Sequence, residues 1–284
     1  MTSPQYDAIG SAYLYFKSLP PVRVETANLR IAIAPYVAGA RVLDLACGAG
    51  HYSRLLLEWG AASVVGVDIS STMIAVAESQ QERLLPEALR KRLRFEVGDA
   101  ARLGKVDVEP NGAGTGFDLV TGMWLLNYAG TTEEVRNMFA AILTNLKPGG
   151  LFVGVLPEPT GLAEMDELKE RYDALVQRRW DSWGITVKLL ERVDEEGRML
   201  GWKAMVQAKA KDGGEGVNFT NYHLGKEVYE EALNGAAFEG NLEWRTAVLD
   251  ERTKELAAEE DEDFWREYLE IGPHFGLLFV RKND

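Results

Sequence analysis

The sequence contains little of what secreted or membrane-spanning proteins need. Its 284 residues include one cysteine, so no intrachain disulfide can form, which fits a reducing compartment. No run of about 18 uncharged apolar residues occurs, as a membrane-spanning helix would require. Residues 1–10 show no basic segment followed by an apolar stretch. We therefore expect a cytoplasmic protein with no membrane partner.

Positive charge is also scarce, because 31 Lys and Arg stand against 44 Asp and Glu, a formal net charge of -13. So acidic a surface repels phosphate backbones. The one basic cluster, residues 89–94, is typical of a solvated helix end before a strand. We therefore expect no nucleic-acid partner.

Strand-like and helix-like runs alternate through the first half of the chain. Apolar runs predict strands over 41–45, 63–67, 94–97, 117–123 and 151–156, with helices over 52–59, 73–79 and 135–146 between them. Such alternation is typical of a parallel sheet covered by helices. A glycine-rich stretch at 106–116 predicts a mobile surface loop.

The pattern changes after Pro157. We predict helices over 162–180 and 226–238, a hairpin over 185–209, and strands over 216–223, 243–249 and 275–281. Local strands without crossover helices indicate an antiparallel insertion.

A strand ending at Asp44 runs into a turn that contains Gly48 and Gly50. Glycine suits a backbone that turns sharply and approaches a ligand closely. The third glycine of a dinucleotide-binding loop is replaced by Ser53, and Asp44 would sit badly beside a diphosphate. The carboxylate of Asp44 instead favours a ligand with a cationic ammonium group.

Two further acids end neighbouring predicted strands. Asp68 follows residues 64–67, where its carboxylate can accept hydrogen bonds from both ribose hydroxyls. Asp99 follows residues 96–98, where it can accept from an adenine amino group while the Ala100 N–H reads a ring nitrogen. Asp44, Asp68 and Asp99 share the carboxyl edge, at which open α/β sheets bind ligands.

Residues 41–156 resemble class I S-adenosylmethionine-dependent methyltransferases. The resemblance rests on five motifs in order: DLACGAG, VGVDIS, VGDA, FDLVTGMWLLNYA and LKPGGLFV. It implies S-adenosyl-L-methionine as cofactor, S-adenosyl-L-homocysteine as product and a small-molecule acceptor. The implied cofactor-binding residues are Asp44, Ala46, Gly48, Gly50, Asp68, Ile69, Met73, Asp99, Ala100, Met123 and Tyr128.

Pattern and resemblance together predict an α/β fold. We expect a Rossmann-like, doubly wound, mostly parallel seven-stranded sheet with an antiparallel cap insertion after strand five. The expected domains are an N-terminal helical lid (1–40), the cofactor-binding core (41–156), a substrate cap (157–225) and a C-terminal completion of the sheet (226–284).

A looser resemblance concerns residues 6–10, 124–129, 264–265 and 276–279. These segments are similar to small-molecule methyltransferases of microbial natural-product pathways, such as the N-methyltransferases of toxoflavin biosynthesis. This similarity implies secondary metabolism and favours methylation of nitrogen over oxygen.

Methyl transfer is an in-line displacement that depends mainly on positioning, so no catalytic triad is expected. The candidate acid–base groups are His51, His223 and Tyr128, although His51 also suits a role in shaping the cofactor pocket. Tyr6 and Tyr13 belong to a helix that either packs on the sheet or closes over the cofactor sulfonium. The candidate substrate residues are Trp124, Trp183, Tyr222 and His223.

Several alternatives stay open at this point. The acceptor atom can be oxygen or sulfur, and the chain can be a catalytically silent cofactor-binding regulator, a protein methyltransferase or a nicotinamide-dependent oxidoreductase. No Cys, His and Asp spacing indicates a metal site. We expect a monomer or a homodimer.

Overall fold

The computed structural model describes residues 5–7, 9, 12–108, 116–212, 215–236, 240–257 and 262–283. Their strands are β1 (Arg41–Leu45), β2 (Ser63–Asp68), β3 (Leu93–Val97), β4 (Phe117–Met123), β5 (Leu146–Pro157), β6 (Ile185–Glu195), β7 (Arg198–Lys209), β8 (Glu215–Leu224), β9 (Gly240–Thr246) and β10 (Phe275–Lys282). Their helices are α1 (Ala12–Phe16), α2 (Pro20–Val37), α3 (His51–Glu58), α4 (Ser71–Leu84), α5 (Glu87–Arg90), α6 (Thr132–Asn145), α7 (Met165–Trp183), α8 (Lys226–Gly235), α9 (Glu251–Leu256) and α10 (Glu262–Ile271).

Seven of these strands form one sheet in the order β3-β2-β1-β4-β5-β10-β9. Strands β1 to β5 are parallel, and β10 runs antiparallel to both β5 and β9. The predicted fold class is confirmed: a Rossmann-like, mostly parallel seven-stranded sheet with a separate antiparallel sheet. Because the strand order reverses between β1 and β4, the crevice at their carboxyl ends is where such folds bind ligands.

The central strands are apolar because helices cover both faces of the sheet. On one face, α6 and α8 pack over Leu43 and Val65; on the other, α2 and α3 pack over Val42 and Val64. All four of these strand residues are almost fully buried. A parallel sheet covered in this way reads as continuous apolar runs rather than alternating ones, which is why the sequence pattern located it.

Strands β6, β7 and β8 form the antiparallel sheet, with α7 packed against it. Further along the same face, an apolar cluster is shared with the N-terminal segment, in which Ile185, Val206 and Phe219 meet Phe16 and Val22. This shared cluster holds the two segments against each other. The later part of α2 belongs instead to the main core.

The basic cluster over 89–94 joins α5 to β3, as the sequence indicates. Arg92 donates to the backbone oxygens of Ala61 and Ala62, so this side chain is used within the fold. No described helix is both long and apolar enough to cross a bilayer. Of the predicted loop over 106–116, residues 109–115 lie outside the described residues.

Candidate active site

The turn after β1 adopts a backbone that only small residues tolerate. Ala46, Gly48 and Gly50 have φ values of 56°, 52° and 73°, all in the left-handed region. A Cβ on Gly50 would lie 2.7 Å from the Phe95 ring, so this position needs glycine for space as well. The turn ends where α3 begins at His51. The backbone N–H groups at the start of α3 therefore lie at the carboxyl edge of the sheet, as the sequence motif implies.

Asp44 ends β1 as a buried carboxyl group. Its Oδ1 accepts from Thr121 Oγ1 at 2.8 Å and its Oδ2 from Ser53 Oγ at 2.6 Å. Burial raises the pKa of Asp44 to about 6, although both hydrogen bonds act in the opposite direction. A cationic group beside it would favour the ionised form, so Asp44 suits an ammonium ligand.

Asp68 ends β2 and fixes two turns at once. Its Oδ2 accepts from Gly48 N at 2.8 Å, and its Oδ1 accepts from Ser70 N at 2.9 Å. Ser70 in turn caps α4 by accepting from Met73 N. Burial raises the pKa of Asp68, against the effect of the two backbone hydrogen bonds. The carboxylate is thus held rigidly beside the glycine turn.

Two large apolar side chains are exposed at the ends of β2 and β3. Ile69 is 39% exposed and Val97 is 58% exposed. Asp99 follows Val97 by two residues, and its Oδ1 accepts from Ala101 N. Apolar side chains flanking a carboxylate suit a flat ring with an amino group, so this part of the edge fits adenine.

Four of the other predicted cofactor residues are placed as follows. Met73 and Met123 are almost fully buried, and Met123 packs in the main core. Ala100 is partly buried against the opposite face. Tyr128 follows β4 in a short 3-10 turn and hydrogen-bonds to the Tyr6 hydroxyl.

Aromatic side chains from the N-terminal segment cover the glycine turn. The Tyr13 ring lies 3.5 Å from where a Gly48 Cβ would stand, and Tyr6 meets Tyr13 edge to face at 5.5 Å. Burial raises the pKa of both hydroxyl groups, so both stay protonated at neutral pH. The structure thus brings Tyr6 and Tyr13 to the carboxyl edge, where their ring faces can attract a sulfonium.

Lys17 and Glu25 are two buried charges at this site that the sequence reasoning missed. Lys17 Nζ lies 4.8 Å from the Tyr52 ring centroid, and the nearby Tyr13 and Glu25 raise its pKa against the effect of burial. Glu25 is 1% exposed and accepts from the Tyr52 hydroxyl and from Trp124 Nε1. The sequence feature that could have indicated them is a charged residue on the apolar face of a predicted helix.

A pocket of about 570 Å³, partly open to solvent, lies between the N-terminal segment, the cap sheet and the carboxyl edge. Most of its walls are aromatic or aliphatic, and a few polar groups converge on it. Its lining residues are Tyr6, Tyr13, Phe16, Val22, Glu25, Trp124, Asn127, Tyr128, Tyr172, Ile185, Val187, Val206, Phe219, Asn221, His223 and His274. Among the predicted residues, the pocket therefore gathers Tyr6, Tyr13, Trp124, Tyr128 and His223.

Three other predicted residues lie off this pocket wall. Trp183 is buried behind it, 4.9 Å from the Tyr268 ring. Tyr222 packs against Gly130, because alternate residues of β8 face opposite sides. His51 stacks edge to face on Tyr52 beside the glycine turn.

Burial keeps the pocket histidines neutral. It lowers the pKa of His223 and of His274 to about 3, and the positive charge of Arg179 acts in the same direction. Burial likewise lowers the pKa of His51 to about 3, helped by Lys17. A neutral imidazole with so low a pKa is a weak base, so these side chains suit hydrogen bonding better than proton abstraction. His274 also lines the pocket.

Residues 42–150 match the family described as a methyltransferase domain. The chain is 34% identical over 138 residues to the trans-aconitate 2-methyltransferase of Variovorax paradoxus, which covers 48% of this chain and 46% of that protein. It is 33% identical over 125 residues to the mRNA cap guanine-N(7) methyltransferase of Caenorhabditis elegans, covering 43% and 32%. The matched stretch thus spans less than half the length of these relatives.

One similar solved structure is an S-adenosylmethionine-dependent methyltransferase from Mesorhizobium loti, with a TM-score of 0.52 and 23% identity over 89% of this chain and 95% of that one. This similarity concerns the fold. Residues 42–150 thus match a methyltransferase domain, and the chain shares its fold with that structure. The residues present fit S-adenosylmethionine: a buried acid suits the ammonium, a rigid acid suits the ribose, and exposed apolar side chains beside an acid suit the adenine.

Proposed function

We propose that the whole chain transfers a methyl group from S-adenosylmethionine to a small molecule bound in the aromatic pocket. The observation that carries this proposal is the pocket itself, which joins the covered glycine turn to the cap sheet. Its lining is mostly aromatic and aliphatic with a few converging polar groups, as is typical of small-molecule sites. A partly enclosed pocket of this kind suits a small acceptor better than a folded protein or a nucleic acid.

The bound cofactor supplies an electrophilic methyl group on a positively charged sulfur. The chain would contribute mainly position: Asp68 and Asp99 hold the nucleoside, Asp44 the ammonium, and Tyr6 and Tyr13 cover the sulfur and exclude water. Alignment of two reactants in this way can supply about 7–11 kcal/mol of rate acceleration. No step of this scheme needs a triad.

The protonation states of the pocket bear on the acceptor atom. His223 and His274 are neutral weak bases, and burial raises the pKa of Tyr128 well above its ordinary value. The acceptor atom therefore has to enter without a proton on its reacting lone pair. A nitrogen that is neutral at pH 7 meets this condition, so we propose N-methylation of a secondary metabolite in the cytoplasm, by a monomer or homodimer. An unprotonated oxygen or sulfur is the alternative.

The relatives' names point to different acceptors. One name specifies trans-aconitate, a small molecule, and another specifies the guanine N7 of an mRNA cap. The net charge of -13 disfavours a phosphate backbone. These observations support a small acceptor for this chain.

The test is transfer of an isotopically labelled methyl group from S-adenosylmethionine to a fractionated cell extract. We expect label in the fraction of low molecular mass, and less of it with Tyr13→Ala, which uncovers the glycine turn. Arg178→Gln is the control, because this side chain is exposed and lies on the outer face of α7. Label only in the protein or RNA fraction would contradict the proposal.

A further inference from the structure

Four polar side chains of the pocket have atoms without hydrogen-bond partners. These atoms are both amide atoms of Asn127, Oδ1 of Asn221, Nδ1 of His223 and the hydroxyl of Tyr172. The four residues are at most 4% exposed, and all four line the pocket. Buried polar groups are nearly always paired, and each unpaired one costs about 1–3 kcal/mol. Such a concentration at one cavity therefore points to a ligand that pairs with them.

Arg179 stands next to this group, behind Tyr172. It is 2% exposed, and its guanidinium carbon lies 4.2 Å from the Tyr172 ring centroid and 5.3 Å from that of Trp183. Its Nε and Nη1 have no hydrogen-bond partner, and no ion pair joins it to any described carboxylate. A buried cation without a counter-charge is strongly unfavourable by itself.

The neighbouring residue of the same helix shows the contrast. Arg178 is exposed and pairs with Glu267 at 2.9 Å and with Glu270 at 2.6 Å. Helix α7 thus turns one arginine towards two carboxylates at the surface and the next one into an aromatic interior. Water cannot stabilise the charge of Arg179, because almost none of this side chain is exposed.

The acid in the pocket wall, Glu25, is already engaged. Its two oxygens accept from Tyr52 and from Trp124, and its charge acts on Lys17. Glu25 thus has other partners and forms no ion pair with Arg179. The uncharged groups around Arg179 are the imidazoles of His223 and His274 and the hydroxyls of Tyr172 and Tyr268.

We propose that the inner end of the pocket, at Asn127, Asn221 and His223, binds a carboxylate group of the acceptor, with Arg179 supplying the balancing positive charge. This proposal rests on the proposed function, and it names the substrate class. Amide N–H groups and an imidazole N–H donate to carboxylate oxygens, and the two ends of an asparagine amide can exchange by a flip. Charge-assisted hydrogen bonds of this kind are about twice as strong as neutral ones.

In this arrangement the carboxylate anchors the acceptor and is not itself methylated. The methylated atom lies at the other end of the pocket. Tyr6 and Tyr13 mark that other end, because they cover the glycine turn. An acceptor with a flat apolar body would fill the aromatic space between the two ends. The preferred substrate is therefore an aromatic or heteroaromatic carboxylic acid.

The test compares a carboxylate with its uncharged amide. The probes are trans-cinnamate and indole-3-acetate, each beside its carboxamide, titrated into the S-adenosylhomocysteine-bound protein by calorimetry. We expect each carboxylate to bind at least about tenfold more tightly than its amide, because a hydrogen bond to a charged group contributes on that scale. Equal affinity for acid and amide in both pairs would overturn the proposal.

Two arginine variants form the matched pair for this test. Arg179→Gln should remove the preference for the acids, whereas Arg178→Gln should keep it. Loss of the preference in both variants, or in neither, would contradict the assigned role. Should Arg179→Gln fold poorly, Asn221→Leu tests the same site, because replacing an unpaired buried amide by an apolar group of similar volume leaves the Tm undiminished. We expect Asn221→Leu to abolish the preference.

A spectroscopic measurement reports on the site directly. The chain has three histidines, so their side-chain nitrogen signals can be assigned by single His→Gln variants. At pH 7, a bound carboxylate should shift the Nδ1 signal of His223, because this nitrogen would donate to it, and the amide should shift the signal less. An unchanged His223 nitrogen signal with bound cinnamate would place the acid elsewhere and refute the proposal.

The outcomes separate this inference from the proposed function. Binding of S-adenosylmethionine should be equal in Arg179→Gln and in the parent protein, since Arg179 lies away from the glycine turn. Methyl transfer to neutral small molecules without any preference for acids would refute the carboxylate site and leave the proposed function standing. Absence of cofactor binding in the parent protein would refute the proposed function itself.

Discussion

Gly50→Ala should destabilise the protein through two effects that can be separated. Gly50 has a φ of 73°, and an added Cβ would lie 2.7 Å from Phe95 Cζ and 3.1 Å from Ala77 Cβ. The left-handed backbone costs a non-glycine residue about 1–2 kcal/mol. Crowding against Phe95 and helix α4 adds about 1–3 kcal/mol.

Gly39→Ala is the control that isolates the second effect. Gly39 has the same φ of 73°, but a Cβ there would meet nothing within 4 Å. The backbone cost is therefore shared, and the crowding cost is absent. We expect Gly39→Ala to lower the free energy of unfolding by about 1–2 kcal/mol and Gly50→Ala by about 2–5 kcal/mol.

Urea denaturation followed by far-ultraviolet circular dichroism measures both values. A lower midpoint with an unchanged slope indicates a change in stability alone. Calorimetry should also show weaker binding of S-adenosylhomocysteine to Gly50→Ala than to Gly39→Ala, because only Gly50 belongs to the turn beside Asp44 and Asp68. Equal destabilisation by the two substitutions would show that the close approach to Phe95 does not matter, and would refute the reasoning.

Three further predictions concern charge and protonation. Asp68→Ala should weaken S-adenosylmethionine binding by about 1–3 kcal/mol in calorimetry, whereas the exposed Asp173→Ala should not, and NADH should bind neither. Because burial raises the pKa of Asp44 to about 6, its contribution to stability is present below its unfolded pKa and is lost as pH rises through about 6. Between pH 4 and 7, the urea midpoint of Asp44→Asn should therefore fall less than that of the parent protein. Equal falls of the two midpoints would count against this. Burial lowers the pKa of His223 and His274 to about 3, so the stability they contribute is present above about pH 6.5 and is lost as pH falls towards 3. Nitrogen chemical shifts should show both imidazole rings neutral at pH 5. Protonated rings at that pH would disprove their burial.

The electrostatics of the site follow from the burial of two carboxyl groups. Asp44 and Asp68 are both buried and both have raised pKa values, so the free protein holds two carboxyl groups that ionise less readily than usual. Lys17 lies close enough to Asp44 to act in the opposite direction. A cationic ligand would relieve the remaining imbalance. The site thus favours a sulfonium and ammonium compound over an anionic diphosphate.

Most of the main sheet could be predicted from residue order. The apolar runs of β1, β2 and β4 are buried on both faces, so they stand out as continuous stretches. The ends of the strands were harder to predict, because a terminal residue is defined by pairing rather than by polarity. Strand β9, for example, ends at Thr246, whereas the sequence pattern alone extended it to Leu249.

The acceptor pocket could not be predicted to the same extent. Asn127, Asn221 and Tyr172 come from three separate segments, and none has a pattern that marks it as more than a core or surface residue. Trp183 and Tyr222 are as aromatic as Trp124, yet only Trp124 lines the pocket. Helix rotation and strand alternation decide which side chain faces the cavity, and both depend on packing against other segments.

The sequence by itself located the proposed cofactor edge of this protein. The glycine turn and the three acids each follow a strand within a few residues, so local order along the chain was enough to place them. The tertiary structure alone decided the acceptor end. There Arg179 is buried without a counter-charge, because side chains of α7, β8 and α10 and the ring of His274 surround it. Burial and unbalanced charge depend on contacts between distant segments, which a linear sequence does not show.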